Sequence, residues 1–194
     1  MTAPVTNASR LRRWTRQEYD RLVDLGVFQG ERLELIDGQL MVREPQGARH
    51  AAAIRRVLAA LRIAFGDEWQ IDSQLPVALD LNSEPEPDVA VVPRDPAAYR
   101  DAHPSHPVLV VEVADTSYRA DRHDKASLYA RAGVPECWIV DLGRGTVEVH
   151  RAPSAAADAI YGFRYGSLIT LRPPATLSAL LAPATPIPVA DLLA

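Results

Sequence analysis

The sequence predicts an α/β domain with a mixed central β-sheet flanked by helices. Three observations carry that expectation. Short aliphatic, largely β-branched runs such as "VAVV" at 89–92 and "VLVVEV" at 108–113 read as strands. Apolar residues fill both alternating sets of positions in these runs, so both faces of the sheet need cover. Two helical stretches, 48–66 and 119–133, lie between the strands and can supply it.

The elements follow in chain order. Residues 1–13 read as a flexible N-terminal arm with a small basic cluster, Arg10, Arg12 and Arg13, and 14–194 as one domain. "TRQEYDRLVDLG" opens a helix, with Thr15 and Glu18 at capping-box spacing and Gly26 as the stop. "ERLELIDGQLMV" alternates around Asp37-Gly38, a strong hairpin signal. The alanine-rich stretch 48–66 is a long helix with Ile54, Leu58 and Leu61 on its buried stripe. "WQIDSQLPVALDL" reads as a third strand. A fourth starts at Asp88 and is closed by Pro93. The strand around Glu112 leads into a helix ending at Gly133 and capped by Asp121 or a neighbour. "ECWIVDLGRGTVEVHRA" gives two strands about a Gly-rich turn, "SAAADA" a flexible connector and "FRYGSLITL" a short strand. "IPVADLLA" gives a final short helix or docked tail.

Composition narrows the function. A single cysteine, Cys137, excludes an internal disulfide and fits a reducing cytoplasm, where a buried structural thiol is its natural role. No stretch approaches the roughly 18 apolar residues of a membrane helix, and the N-terminus lacks the apolar core of a secretory signal. The net charge of -4 argues against a protein that coats nucleic acid non-specifically. It leaves room for a nuclease, because a carboxylate site that gathers metal ions adds negative charge itself.

Glu112 is the most informative residue. It interrupts an otherwise aliphatic strand, where an ionised carboxylate costs several kcal/mol unless compensated. A buried cation, a proton or a metal ion could compensate it, or the side chain could reach water at a frayed strand end. Asp88 stands at the start of the preceding strand. With suitable register the two carboxylates could share one divalent ion of the hard kind. Lys125, in the first turn of the following helix, opposes the helix dipole unless Asp121 and Asp124 offset it on a solvated surface. Leaning over the strand end, it could instead steady a hydroxide or a phosphate oxygen. Tyr129 shares its face, with core packing as its plainer role. In the hairpin, alternation groups Glu34 with Arg32 and Ile36, either at the site or on an exposed face.

Four segments together resemble the Uma-two family, described as putative restriction endonucleases, within the PD-(D/E)XK nuclease superfamily. They are "ERLELIDGQL", "EPEPDVAVV", "PVLVVEVADTSYRADRHDKASLYARAGVPECWIVD" and the closing "IPVADLLA". By this resemblance Pro87-Asp88 matches the superfamily's PD pair and Glu112 its second acid. Ala114 stands where the superfamily usually has its lysine, and Lys125 looks like that lysine displaced to the next helix. Glu34 matches the acid of the family's first hairpin. The resemblance implies a restriction-endonuclease-like fold and Mg²⁺-dependent phosphodiester hydrolysis.

Other residues are weaker candidates. His50 could face a phosphate or the acidic cluster, or be a surface histidine at the helix start. Gln74 could edge the site. Arg49, Arg55, Arg56 and Arg62 form a stripe that is either a solvated face or a DNA backbone track. His103, His106 and His123 have no metal-ligand spacing. Two readings result. In the first, a DNA endonuclease uses Asp88 and Glu112 to hold Mg²⁺ (or Mn²⁺), Glu34 as an outer or second-metal ligand, and Lys125 to stabilise developing charge; a homodimer would suit cleavage of two strands. In the second, an interaction or nucleic-acid-binding module keeps the fold without turnover.

Overall fold

The computed structural model describes residues 11–43, 45–115 and 124–193. The proposed helix cap at Asp121, His123 and most of the N-terminal arm lie outside them. Helix α1 (Arg16–Asp24) starts at the expected capping box: Thr15 Oγ1 accepts from the Glu18 N–H, and the Glu18 side chain accepts from the Thr15 N–H. Its Tyr19 packs with Leu33 and Leu35 in a small apolar cluster and donates its hydroxyl to the Leu33 carbonyl at 2.7 Å. Strands β1 (Leu33–Ile36) and β2 (Gln39–Val42) form the expected hairpin. Asp37 and Gly38 both have positive φ, 48° and 78°, as a two-residue primed turn requires. Arg13, in the segment read as part of the arm, pairs with Asp37 of that turn.

Helix α2 (Ala48–Phe65) ends at Gly66, which has φ 64°. Its buried stripe is Ala53, Ile54, Val57, Leu61 and Phe65, with Leu58 partly buried beside it. The central sheet has six strands in the order β3-β4-β5-β6-β7-β8: β3 (Trp69–Asp72), β4 (Val89–Pro93), β5 (Leu109–Ala114), β6 (Glu136–Asp141), β7 (Thr146–Ala155) and β8 (Phe163–Leu171). All neighbours are antiparallel except β5 and β6. A parallel pair needs a crossover, and helix α3 (Ala126–Arg131) lies in that connection. The sheet is therefore mixed, as expected.

Period-2 alternation divides the core. Val89, Val91, Val111, Val113 and Trp138 face α2, while Ala90, Val110, Cys137 and Tyr165 meet Tyr129 and Ala130 of α3. Cys137 is buried, as its strand position implied.

Three elements differ from expectation. The third strand stops at Asp72, because Gln74 adopts φ 55° and leaves the extended region. The "SAAADA" connector is not a loose link: Ser154 and Ala155 continue β7, and the rest is a hydrogen-bonded turn. Its Ala156 N–H meets the Gly162 carbonyl at 2.8 Å, and the Gly162 N–H meets that of Ala159 at 2.9 Å. A C-terminal hairpin, β9 (Thr176–Ala179) with β10 (Ala182–Pro188), was not anticipated because prolines mask its alternation. It brings Ile187, Val189 and Leu192 onto the α2 side of the core, so the closing segment is a docked tail with a short 3-10 turn.

Candidate active site

The register of β4 and β5 builds the centre of the site. Val89 pairs with Val111, so continuing the same antiparallel ladder sets Asp88 opposite Glu112. The Val113 N–H donates to Asp88 Oδ2 at 2.8 Å and fixes that carboxylate to the neighbouring strand. Glu112 is 2 % exposed. Tyr129, one turn along α3 from Lys125, donates its hydroxyl to Glu112 Oε1 at 2.6 Å. Burial and the Glu112 carboxylate hold the Tyr129 phenol protonated, well above its ordinary pKa.

Lys125 answers the question Glu112 raised. Its Nζ stands 3.4 Å from Glu112 Oε1 and 3.2 Å from Glu34 Oε2. The buried strand carboxylate is thus compensated by an ammonium from the next helix. Glu34 lies on the inner side of the hairpin and is 7 % exposed. It also accepts from the Glu86 N–H at 3.1 Å, while Arg32 reaches outward to Glu86 instead of pairing with Glu34. Backbone bonds between Leu35 and Glu84 clamp this hairpin to the segment that leads into Asp88.

Asp88 is surrounded by donors. Arg43 Nη2 and Gln46 Nε2 approach Oδ1 at 3.2 and 3.3 Å, and His50 Nε2 lies 3.1 Å from Oδ2. Burial acts to raise the Asp88 pKa, but His50, the Val113 N–H and Arg43 outweigh it and hold the carboxyl below its ordinary value. Arg43 experiences the converse balance. Burial opposes its charge, yet Glu112, Glu34, Asp88 and Glu86 together favour the cation more strongly.

Asp88, Glu112, Lys125 and Glu34 line one cavity of about 640 Å³, together with His50. His50 therefore faces the acidic cluster rather than open solvent. Gln74 lies outside the cavity lining, although its N–H bonds to the Pro87 carbonyl at 3.2 Å. Of the arginine stripe, Arg49 reaches Asp115 and the Leu142 carbonyl at the site's margin, while Arg55 and Arg62 are exposed. Tyr129 is both a core residue and a hydrogen-bond donor to the site.

Sequence reasoning missed Arg43 and Gln46. Arg43 had a usable signal. The Asp37-Gly38 turn sets Glu34 opposite Met41, and Arg43, two residues on, shares that face. Gln46 lies in the loop before α2 and had no such pattern.

Among the described residues, no three His, Cys, Asp or Glu side chains converge as a ready metal cage. The opposed Asp88 and Glu112 carboxylates still fit a hard cation. Mg²⁺ commonly takes one or two carboxylates and fills its remaining positions with water and phosphate oxygens.

A crystal structure of a "putative nuclease" from Anabaena variabilis superposes with a TM-score of 0.69 at 16% identity, covering 92% of this chain and 97% of that one. Likeness at that identity is one of fold. No curated protein matches the sequence. The sequence pattern of the Uma2 family, described as "Putative restriction endonuclease", matches residues 16–184. With that span covering most of the chain, the protein belongs to the Uma2 family.

Proposed function

We propose that this protein is a Mg²⁺-dependent nuclease, with Mn²⁺ able to substitute, that hydrolyses phosphodiester bonds in DNA. The observation that carries the reading is the pair of buried, opposed carboxylates, Asp88 and Glu112, with the Lys125 ammonium beside Glu112 at the wall of an open cavity. Family membership supports nuclease activity in general.

Asp88 and Glu112 would hold the cation. When bound, it would polarise the scissile phosphate and make a water molecule nucleophilic at neutral pH. The chain's own groups do the positioning. The Val113 N–H and the Tyr129 hydroxyl orient the two carboxylates from rigid elements. The hydrogen bonds of Arg43 and Gln46 to Asp88 Oδ1 are long, and these are the contacts a cation can exchange. Glu34 restrains the Lys125 ammonium, which would stabilise the charge that develops on the phosphate oxygens. Glu34 serves here as the outer acid of the site.

The test is cleavage of end-labelled DNA in Mg²⁺, Mn²⁺ and EDTA by the parent protein, Asp88→Asn and Glu112→Gln. Metal-dependent cleavage by the parent, lost by about 10²-fold or more in each variant, is expected on the scale of a removed electrostatic group. Equal cleavage by either variant would refute the assignment.

A further inference from the structure

The cavity is larger and more apolar than a phosphate and a hydrated ion require. Besides the charged groups, it is walled by Ile36, Met41 and Val42 of the hairpin and by Ile160 and Tyr161 of the turn between β7 and β8. Met41, Val42 and Ile160 are 47%, 57% and 59% exposed. Exposed apolar side chains scattered singly need no explanation, but these gather around one charged cavity.

Tyr161 is held in place. Its N–H donates to Ser127 Oγ of α3 at 3.1 Å, and that hydroxyl donates to the Phe163 carbonyl at 2.7 Å. The Arg131 guanidinium lies 5.1 Å from its ring centroid. Arg131 is itself fixed by Asp37 at 2.7 Å and Asp80 at 2.8 Å. A cation over one ring face, held by two carboxylates, leaves Tyr161 as a preset aromatic surface on the cavity.

From this geometry we infer that the cavity takes an unstacked nucleobase next to the scissile phosphate, stacked on Tyr161 and flanked by Met41, Val42 and Ile160. The substrate class is then a single-stranded or unpaired stretch of nucleic acid, not continuous duplex. The inference rests on the nuclease reading for the position of the phosphate. Base-aromatic stacking is tolerant of sequence and supplies affinity without a broad basic surface. That suits a chain of net charge -4, in which Arg43, Lys125 and Arg131 are already engaged by carboxylates. Bases in an intact duplex are stacked within it and cannot enter a concave pocket without being extruded.

Binding separates this inference from cleavage. Fluorescence anisotropy in EDTA would follow a labelled 20-nucleotide single strand, its duplex, and an abasic strand of the same length. The single strand should bind at least about 5-fold more tightly than the abasic strand, the lower end of what stacking one base contributes. Tyr161→Ala should weaken the single strand by a similar factor and leave the abasic strand unchanged, while Tyr161→Phe keeps parental affinity. Parent protein that binds the duplex or the abasic strand as tightly as the single strand would overturn the inference. So would Tyr161→Phe losing as much as Tyr161→Ala. The comparison of strands uses only the parent and stands even if Tyr161→Ala does not fold. Absence of metal-dependent cleavage with these preferences intact would refute the nuclease reading and leave the base pocket.

Discussion

Lys125→Ala tests the charge balance of the site directly. The Lys125 Nζ lies 3.2 Å from Glu34 and 3.4 Å from Glu112, and its side chain is 12% exposed. At an effective dielectric of about 20, each contact is a gross attraction of roughly 5 kcal/mol. Much of that is spent on desolvating three charges, so the sum is not the stability lost. Removing one partner of a buried pair costs about 3–5 kcal/mol, because the remaining charge is left uncompensated. For a domain of this size that corresponds to a fall in Tm of roughly 6–20 °C. The loss should be full at pH 8. Millimolar Mg²⁺ should stabilise the variant more than the parent, a second cation having less repulsion to meet. The assay is urea denaturation at pH 8 followed by tryptophan fluorescence, with and without Mg²⁺. A midpoint for Lys125→Ala equal to the parent's at pH 8 would refute the reasoning, since the ammonium would then be an energetically idle surface group.

Three further outcomes follow from particular contacts. Glu84, whose pKa is pushed up to about 7 by burial and then by Asp20 against the pull of Arg16, holds a proton in the folded state that the unfolded chain releases above about 4.5. Its ionisation costs stability increasingly as pH rises through that window, so Glu84→Gln should gain up to about 3 kcal/mol at pH 8 and little at pH 5; denaturation midpoints that shift equally at both pH values would contradict this. Tyr129→Phe removes the 2.6 Å hydrogen bond to Glu112 and should cost about 2 kcal/mol, with cleavage falling roughly 10-fold as the carboxylate loses its orientation. An unchanged Tm would show that the bond carries no weight. Gly38→Ala should destabilise by more than about 1 kcal/mol, because Gly38 has φ 78° and an added Cβ would meet the Arg13 Cβ at 2.5 Å. Thermal denaturation reads it, and a neutral result would mean that the turn is free to change its conformation.

Local signals made much of this protein legible before its structure. The capping box at Thr15 and Glu18, the Asp37-Gly38 turn and the Gly66 stop each concern groups a few residues apart, where chain connectivity alone brings donor to acceptor. The mixed sheet was readable because strands covered on both faces leave continuous apolar runs. Glu112 stood out by the same logic, a charge where only compensation could keep one. What compensates it is a tertiary matter. The sequence reading set Lys125 in the first turn of the helix after the strand; the structure makes it that helix's N-cap, and only the crossover between parallel β5 and β6 lays the helix over the sheet and brings the Lys125 ammonium to Glu112. The burial of Glu34 depends on the hairpin being clamped at Glu84, a contact spanning about fifty residues. The ring of donors on Asp88 comes from Arg43 just after β2, the following loop, α2 and β5, whose separation in the chain hides their meeting. Tyr161 shows the limit most clearly. It follows a small-residue stretch that reads as a loose connector, and only hydrogen bonds within that turn and to α3 make it a wall of the cavity, because side-chain convergence is set by how elements pack and not by their order.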